Sequence, residues 1–107
     1  MKNVLIKEIK IPINIKQEYS DFHVIELYKD CIICRGDKRE RAFLFDNYKW
    51  ICWLPKGFET EYAQLIFVVG DGETVEDTNR LLFSDNEFIE NLYLDIVKTK
   101  KMPYPFG

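Results

Sequence analysis

The chain is poor in the groups that do chemistry. It has one histidine, His23, three cysteines, Cys31, Cys34 and Cys52, and five glycines among 107 residues. No glycine-rich turn or oxyanion-hole signature accompanies any of the cysteines, so a Cys–His nucleophilic pair has nothing to complete it. Gly70-Asp71-Gly72 has neither the lysine of a phosphate-binding loop nor its third spaced glycine, and reads as a turn. Long apolar runs are missing too: Val4, Leu5 and Ile6 give way at once to Lys7 and Glu8. No stretch has the length of a signal-peptide core or a membrane span. This predicts a cytoplasmic protein whose odd number of thiols stays free in a reducing compartment.

What is present is the composition of one small domain, expected to span 1–107. The length lies below the roughly 150 residues of a typical domain. The content is 47% hydrophobic and 31% charged, ordinary for a globular chain. Aromatics reach 15%, against disorder, and two Trp, six Tyr and eight Phe exceed the needs of one small core. Some are therefore expected at the surface. The abundance of Lys, Ile, Asn, Glu and Tyr suggests an AT-rich bacterial or phage genome.

Along the chain, residues 9–15 alternate with a period of two, as a half-buried strand does, with Pro12 placing it at an edge or a bulge. Phe22–Tyr28 and Cys31–Cys34, parted by Lys29-Asp30, predict a tight hairpin. A charged turn over Gly36–Glu40 leads to a strand at Ala42–Phe45. Asp46-Asn47 is turn chemistry, which predicts a further hairpin into Tyr48–Leu54, stopped by Pro55-Lys56-Gly57. Leu65 to Val69 reads as a strand buried on both faces. Thr74 and Asp77 suggest a cap for a short helix through Leu82. Ser84 and Glu87 form a capping box for a C-terminal helix from about 85 to 99, with Phe88, Ile89, Leu92, Ile96 and Val97 on its apolar stripe. The expected architecture is α+β: an antiparallel meander or small barrel-like sheet of five or six strands, with the C-terminal helix packed on it.

Cys31-Ile-Ile-Cys34 has the spacing of a zinc knuckle, but two β-branched residues favour an extended strand that turns the thiols to opposite faces. A Cys3His site with Cys52 and His23 is possible only by stoichiometry; small buried hydrophobes are the plainer reading. No metal or cofactor is expected. Tyr48, Trp50 and Cys52 fall on one face of their strand and Ile51 and Trp53 on the other, near Lys38, Arg39, Arg41 and Lys49. An exposed aromatic pair beside such cations is how small barrels stack single-stranded bases. The alternative, favoured here, is that the C-terminal helix covers the second face and leaves no platform.

Charge is the least ordinary feature. Residues 1–56 carry eleven Lys and Arg against eight Asp and Glu, whereas 57–97 carry ten acids against Arg80 alone. Lys98, Lys100 and Lys101 then bring the chain to its net −3. The acidic block includes Glu73, Glu76, Asp77, Asp85, Glu87 and Glu90, and would repel nucleic acid and attract a basic protein surface. An ordinary solvated helix face is the competing reading.

Ala42-Phe-Leu-Phe-Asp-Asn-Tyr-Lys-Trp50, running into Trp53-Leu54-Pro55-Lys56, resembles a recurrent hairpin of small phage and mobile-element proteins, most of unknown function. The resemblance covers about fifteen residues, departs from the pattern at Gly57, and implies a genomic context rather than functional residues. The leading expectation is a non-enzymatic, acidic binding protein that inhibits a larger, basic, nucleic-acid-handling partner, of the anti-CRISPR, anti-defence or toxin-immunity type. A homodimer is compatible with it. The alternative expectation is a single-stranded nucleic-acid-binding barrel using Tyr48, Trp50 and Trp53 with Lys38, Arg39, Arg41 and Lys49. An enzyme using Cys52 or His23 ranks third.

Overall fold

The computed structural model describes residues 4–57, 60–70 and 78–100. Seven strands and one helix run along them: β1 Leu5–Lys10, β2 Phe22–Tyr28, β3 Cys31–Gly36, β4 Glu40–Leu44, β5 Trp50–Leu54, β6 Ala63–Val68, β7 Thr78–Phe83 and α1 Asn86–Lys100. They form two antiparallel sheets, a four-stranded one in the order β1-β2-β3-β4 and a three-stranded one in the order β5-β6-β7. The fold is therefore α+β with a docked C-terminal helix, but the strands divide between two open sheets and do not close into a barrel. No helix among the described residues is long and apolar enough to cross a membrane.

The β2–β3 hairpin forms where the sequence places it, with Leu27 opposite Ile32 and Ile25 opposite Cys34. Directly opposed residues share a face. Ile9, Ile25 and Cys34 thus make one inward rung and Leu27, Ile32 and Phe43 the next. On the three-stranded sheet the inward rungs are Trp53–Leu65–Leu81 and Ile51–Phe67–Asn79. Most of these side chains join Ile89, Leu92, Tyr93, Ile96 and Val97 of α1 in one core. Phe43 stacks on Phe67 across the layers, with ring centroids 4.3 Å apart. Ile66 and Val68, on the other face of β6, are buried as well, so this strand is covered on both sides as its unbroken apolar run predicts.

Four expectations are corrected. The period-two run over 9–15 is not one strand: β1 ends at Lys10, and the Ile15 N–H donates to the Pro12 carbonyl at 3.0 Å, closing a turn. Proline cannot donate to a ladder, and with the rung lost Ile13 stands fully exposed. Asp46-Asn47 does turn the chain, but not into a hairpin. Phe45–Asn47 is a single 3-10 turn that carries it from one sheet to the other, because the buried Phe45 is drawn inward between them. Residues 78–83 are β7 rather than the end of a helix; Leu81 and Phe83 alternate into the core opposite β6. The expected cap at Thr74 and Asp77 lies outside the described residues. Finally, the Ser84–Glu87 capping box does not form. The Ser84 hydroxyl instead accepts the Lys16 N–H at 2.8 Å, and the helix start is held by Lys56, whose N–H donates to Asn86 Oδ1 at 2.8 Å. The helix itself spans nearly the residues expected.

Because Phe43 bridges both sheets, Phe43→Ala should cost about 3–5 kcal/mol. Urea unfolding followed by Trp fluorescence should show a lower midpoint with an unchanged slope.

Candidate functional site

The only segment that ties the end of one sheet to the other through backbone hydrogen bonds, among the described residues outside the turn at 45–49, precedes β2. The Ser84 N–H donates to the Lys16 carbonyl at 2.9 Å and the Glu18 N–H to the Leu82 carbonyl at 3.1 Å, so residues 16–18 lie along the end of β7. Gln17 then closes the next loop on itself. Its Nε2 donates to the Phe22 carbonyl at 2.7 Å, and its Oε1 accepts from the Phe22 N–H at 3.0 Å and from the Ser20 hydroxyl at 2.8 Å. Within this loop Tyr19 takes φ 64°, the one positive φ of a non-glycine residue among those described. A bulky side chain in that region carries strain and is worth a functional question.

Facing this loop is the β3–β4 turn. The Gly36 N–H donates to the Arg39 carbonyl at 2.8 Å. A Cβ on Gly36 would stand 3.0 Å from the Asp21 carbonyl oxygen, so the glycine lets the turn approach the loop this closely. Between the loop, the turn and β7 lies a cleft of about 510 Å3. Lys38, Arg39 and Arg41 line it from the turn and β4, Arg80 from β7, and Glu18 and Tyr19 from the loop. A shallower recess continues past Tyr19, Asp21 and Lys38.

The electrostatics of the cleft favour an anion. Glu40, which also lines it, is already engaged: Arg35 pairs with it while donating through Nε to Glu26 at 2.8 Å. Arg35 is the main cause that holds the Glu26 carboxyl below its usual range, against burial, with help from the Tyr28 hydroxyl. Arg41 lies 4.5 Å above the Phe43 ring and reaches Asn79 Oδ1 at 3.4 Å, so its guanidinium is held in place. Arg80 donates to Gln64 Oε1 at 2.6 Å and to Thr78 Oγ1 at 3.2 Å. Lys38 and Arg39 are exposed and make no ion pair among the described residues. Four cations thus face Glu18 and the already paired Glu40, with Asp21 in the adjoining recess.

The chain matches no protein-family model, and no curated protein matches it.

Three of the basic residues singled out in the sequence, Lys38, Arg39 and Arg41, therefore come together. The aromatics expected beside them do not. Tyr48 precedes β5 rather than continuing its alternation and packs on the core, 5.1 Å from Phe67 between ring centroids. Trp53 is half-buried against the same core, while Trp50 stands on the opposite face of β5 with Cys52. Lys49 lies between the sheets' connecting turn and β5, its N–H donating to the Val68 carbonyl at 2.7 Å. Of the acidic set, Glu87 and Glu90 are exposed on α1 and Asp85 is half-buried just before it; Glu73, Glu76 and Asp77 lie outside the described residues. Tyr19 and Arg80 are not among the site residues expected from the sequence. Nothing in Gln-Glu-Tyr-Ser-Asp announces a left-handed tyrosine, but Arg80 did carry a signal as the lone base of the acidic block.

The thiols are not poised for nucleophilic work. Cys31 and Cys34 lie on β3 and Cys52 on the other sheet, and burial raises all three above the ordinary thiol range. His23 is exposed, sits 3.1 Å from Asp37 and is not the strand partner of any cysteine. Among the described residues no three His, Cys, Asp or Glu side chains converge as metal ligands would.

Burial pushes the Cys34 thiol up to about 12 from an ordinary 9.0, with Arg41 pulling weakly the other way. The unfolded chain then releases this proton first. The stabilisation is complete below pH 9 and is lost as pH rises toward 12, at up to about 1.4 kcal/mol per pH unit. Urea unfolding at pH 8, 9 and 10 should show stability falling more steeply in the native sequence than in Cys34→Ala.

Proposed function

We propose that the protein acts by binding and that its basic cleft receives the phosphate groups of a ligand. The observation that carries this reading is the convergence of Lys38, Arg39, Arg41 and Arg80 on one cavity, two of them held in place by Asn79 and Gln64. Guanidinium groups fixed in this way lose little freedom when they donate to phosphate oxygens, and such charge-assisted bonds are the strong ones. Raised thiol pKa values, and a His23 that pairs with Asp37 rather than with a cysteine, favour a binder over a Cys–His catalyst.

A second reading keeps the acidic face of α1 as a docking surface for a basic protein, the inhibitor of anti-defence or immunity type. One observation favours it: Leu94, 45% exposed, lies on the same outward helix face as Glu87 and Glu90, an apolar centre beside acidic neighbours. Under this reading Glu87→Lys with Glu90→Lys removes partner binding, and a change in the cleft does not.

Calorimetric titration with inorganic pyrophosphate separates the two. The native protein should bind it with an affinity that falls as salt rises, and Lys38→Glu with Arg39→Glu should weaken binding at least about tenfold with the Tm unchanged. Equal affinity in native and doubly reversed protein would remove the cleft reading.

A further inference from the structure

The cleft has a feature that simple phosphate capture does not use. Tyr19 stands at its mouth, 85% exposed, and lines both the cavity and the recess beyond it. Its backbone is in the left-handed region, held there by Gln17 binding both the N–H and the carbonyl of Phe22. A tyrosine kept strained and exposed contributes little to the core. Its ring is available as a stacking surface beside a cluster of cations.

Resting on the phosphate-binding reading, we propose that the ligand is a nucleoside phosphate: the base stacks on Tyr19 and the phosphates lie between Lys38, Arg39 and Arg41. A cavity of about 510 Å3 falls in the size range of small-ligand sites. Arg39, Lys38 and Tyr19 line the cavity and the recess alike, so the cations and the ring share one continuous depression. A phosphate alone would leave the ring of Tyr19 unused. An aromatic base attached to it brings a π-face to the tyrosine without any demand on base identity. The same chemistry could arrive as a free nucleotide or as the phosphorylated end of a single strand, since an open recess adjoins the cavity. Of the acids, Asp21 lines the recess and not the cavity, Glu40 is paired with Arg35, and Glu18 faces the four cations.

The test compares ADP, inorganic pyrophosphate and a 5′-phosphorylated pentathymidylate by calorimetry on the native chain, Tyr19→Phe and Tyr19→Gly. ADP should bind about tenfold more tightly than pyrophosphate to the native chain and to Tyr19→Phe, from one stacked base. In Tyr19→Gly the two affinities should become equal. Glycine accepts the positive φ without strain, so the Tm of that variant should be unchanged or higher. The pentathymidylate binding more tightly than ADP marks a strand end as the ligand; equal affinities mark a free nucleotide. ADP binding no more tightly than pyrophosphate in the native chain overturns this proposal and leaves the phosphate reading standing. Failure of all three probes to bind overturns both. A Tm loss of several degrees in Tyr19→Gly would show that the ring serves packing, and the stacking role would fall.

Discussion

The two sheets share no ladder, and their ends are joined at the cleft by three residues, 16–18, that lie against the end of β7. Two backbone hydrogen bonds and the Ser84 hydroxyl make that join. From it follow the position of the Gln17–Phe22 loop, the strained backbone of Tyr19 and one wall of the cleft. The other wall depends on Gly36, whose missing Cβ admits the β3–β4 turn next to Asp21. Hydrophobic burial supplies the driving force for the fold, but it is non-directional. The Phe43–Phe67 stack and the α1 stripe bring two layers and a helix together without setting their relative ends. The strap does that, and it does so with polar groups. It also accounts for Ser84: its hydroxyl stabilises the junction of the sheets instead of capping α1.

The charge of the molecule is segregated, and the structure sharpens how. In the sequence, the basic half and the acidic block are blocks of chain. In space, the cations that matter come from both: Lys38, Arg39 and Arg41 from the basic half, Arg80 from the middle of the acidic block. Glu40, one of the two acids lining the cleft with Glu18, is tied to Arg35 in a network with Glu26 and Tyr28. The helix acids Glu87 and Glu90 face outward from the core on α1. The basic cleft and the acidic helix face are different surfaces of the chain.

Much of the local structure was legible. The β2–β3 hairpin, the doubly buried β6 and the amphipathic α1 follow from apolar periodicity and turn residues, all of which act over a few residues. What failed depended on distant partners. Leu81-Leu82-Phe83 after an acidic stretch has no strong period of its own, and only pairing with β6 makes it a strand. Asp46-Asn47 is a turn in either fold; whether the chain returns along β4 or crosses to a second sheet is decided by the burial of Phe45. The same limit applied to the site. The basic residues of the β3–β4 turn were visible as a cluster, but Tyr48 and Trp53, their expected aromatic companions, are taken by the core. The aromatic that does stand beside them, Tyr19, is distant from them in sequence and carries no local signature of its backbone conformation.

The central claim is that one cleft, built by the strap at 16–18 and the turn at Gly36, is where this protein meets its ligand. Amide chemical-shift mapping during titration with pyrophosphate tests it most directly. The shifts should concentrate at residues 18–22, 38–41 and 80–82 and saturate together. Shifts centred on α1, or on the Trp50 face of β5, with the cleft amides unmoved, would contradict it.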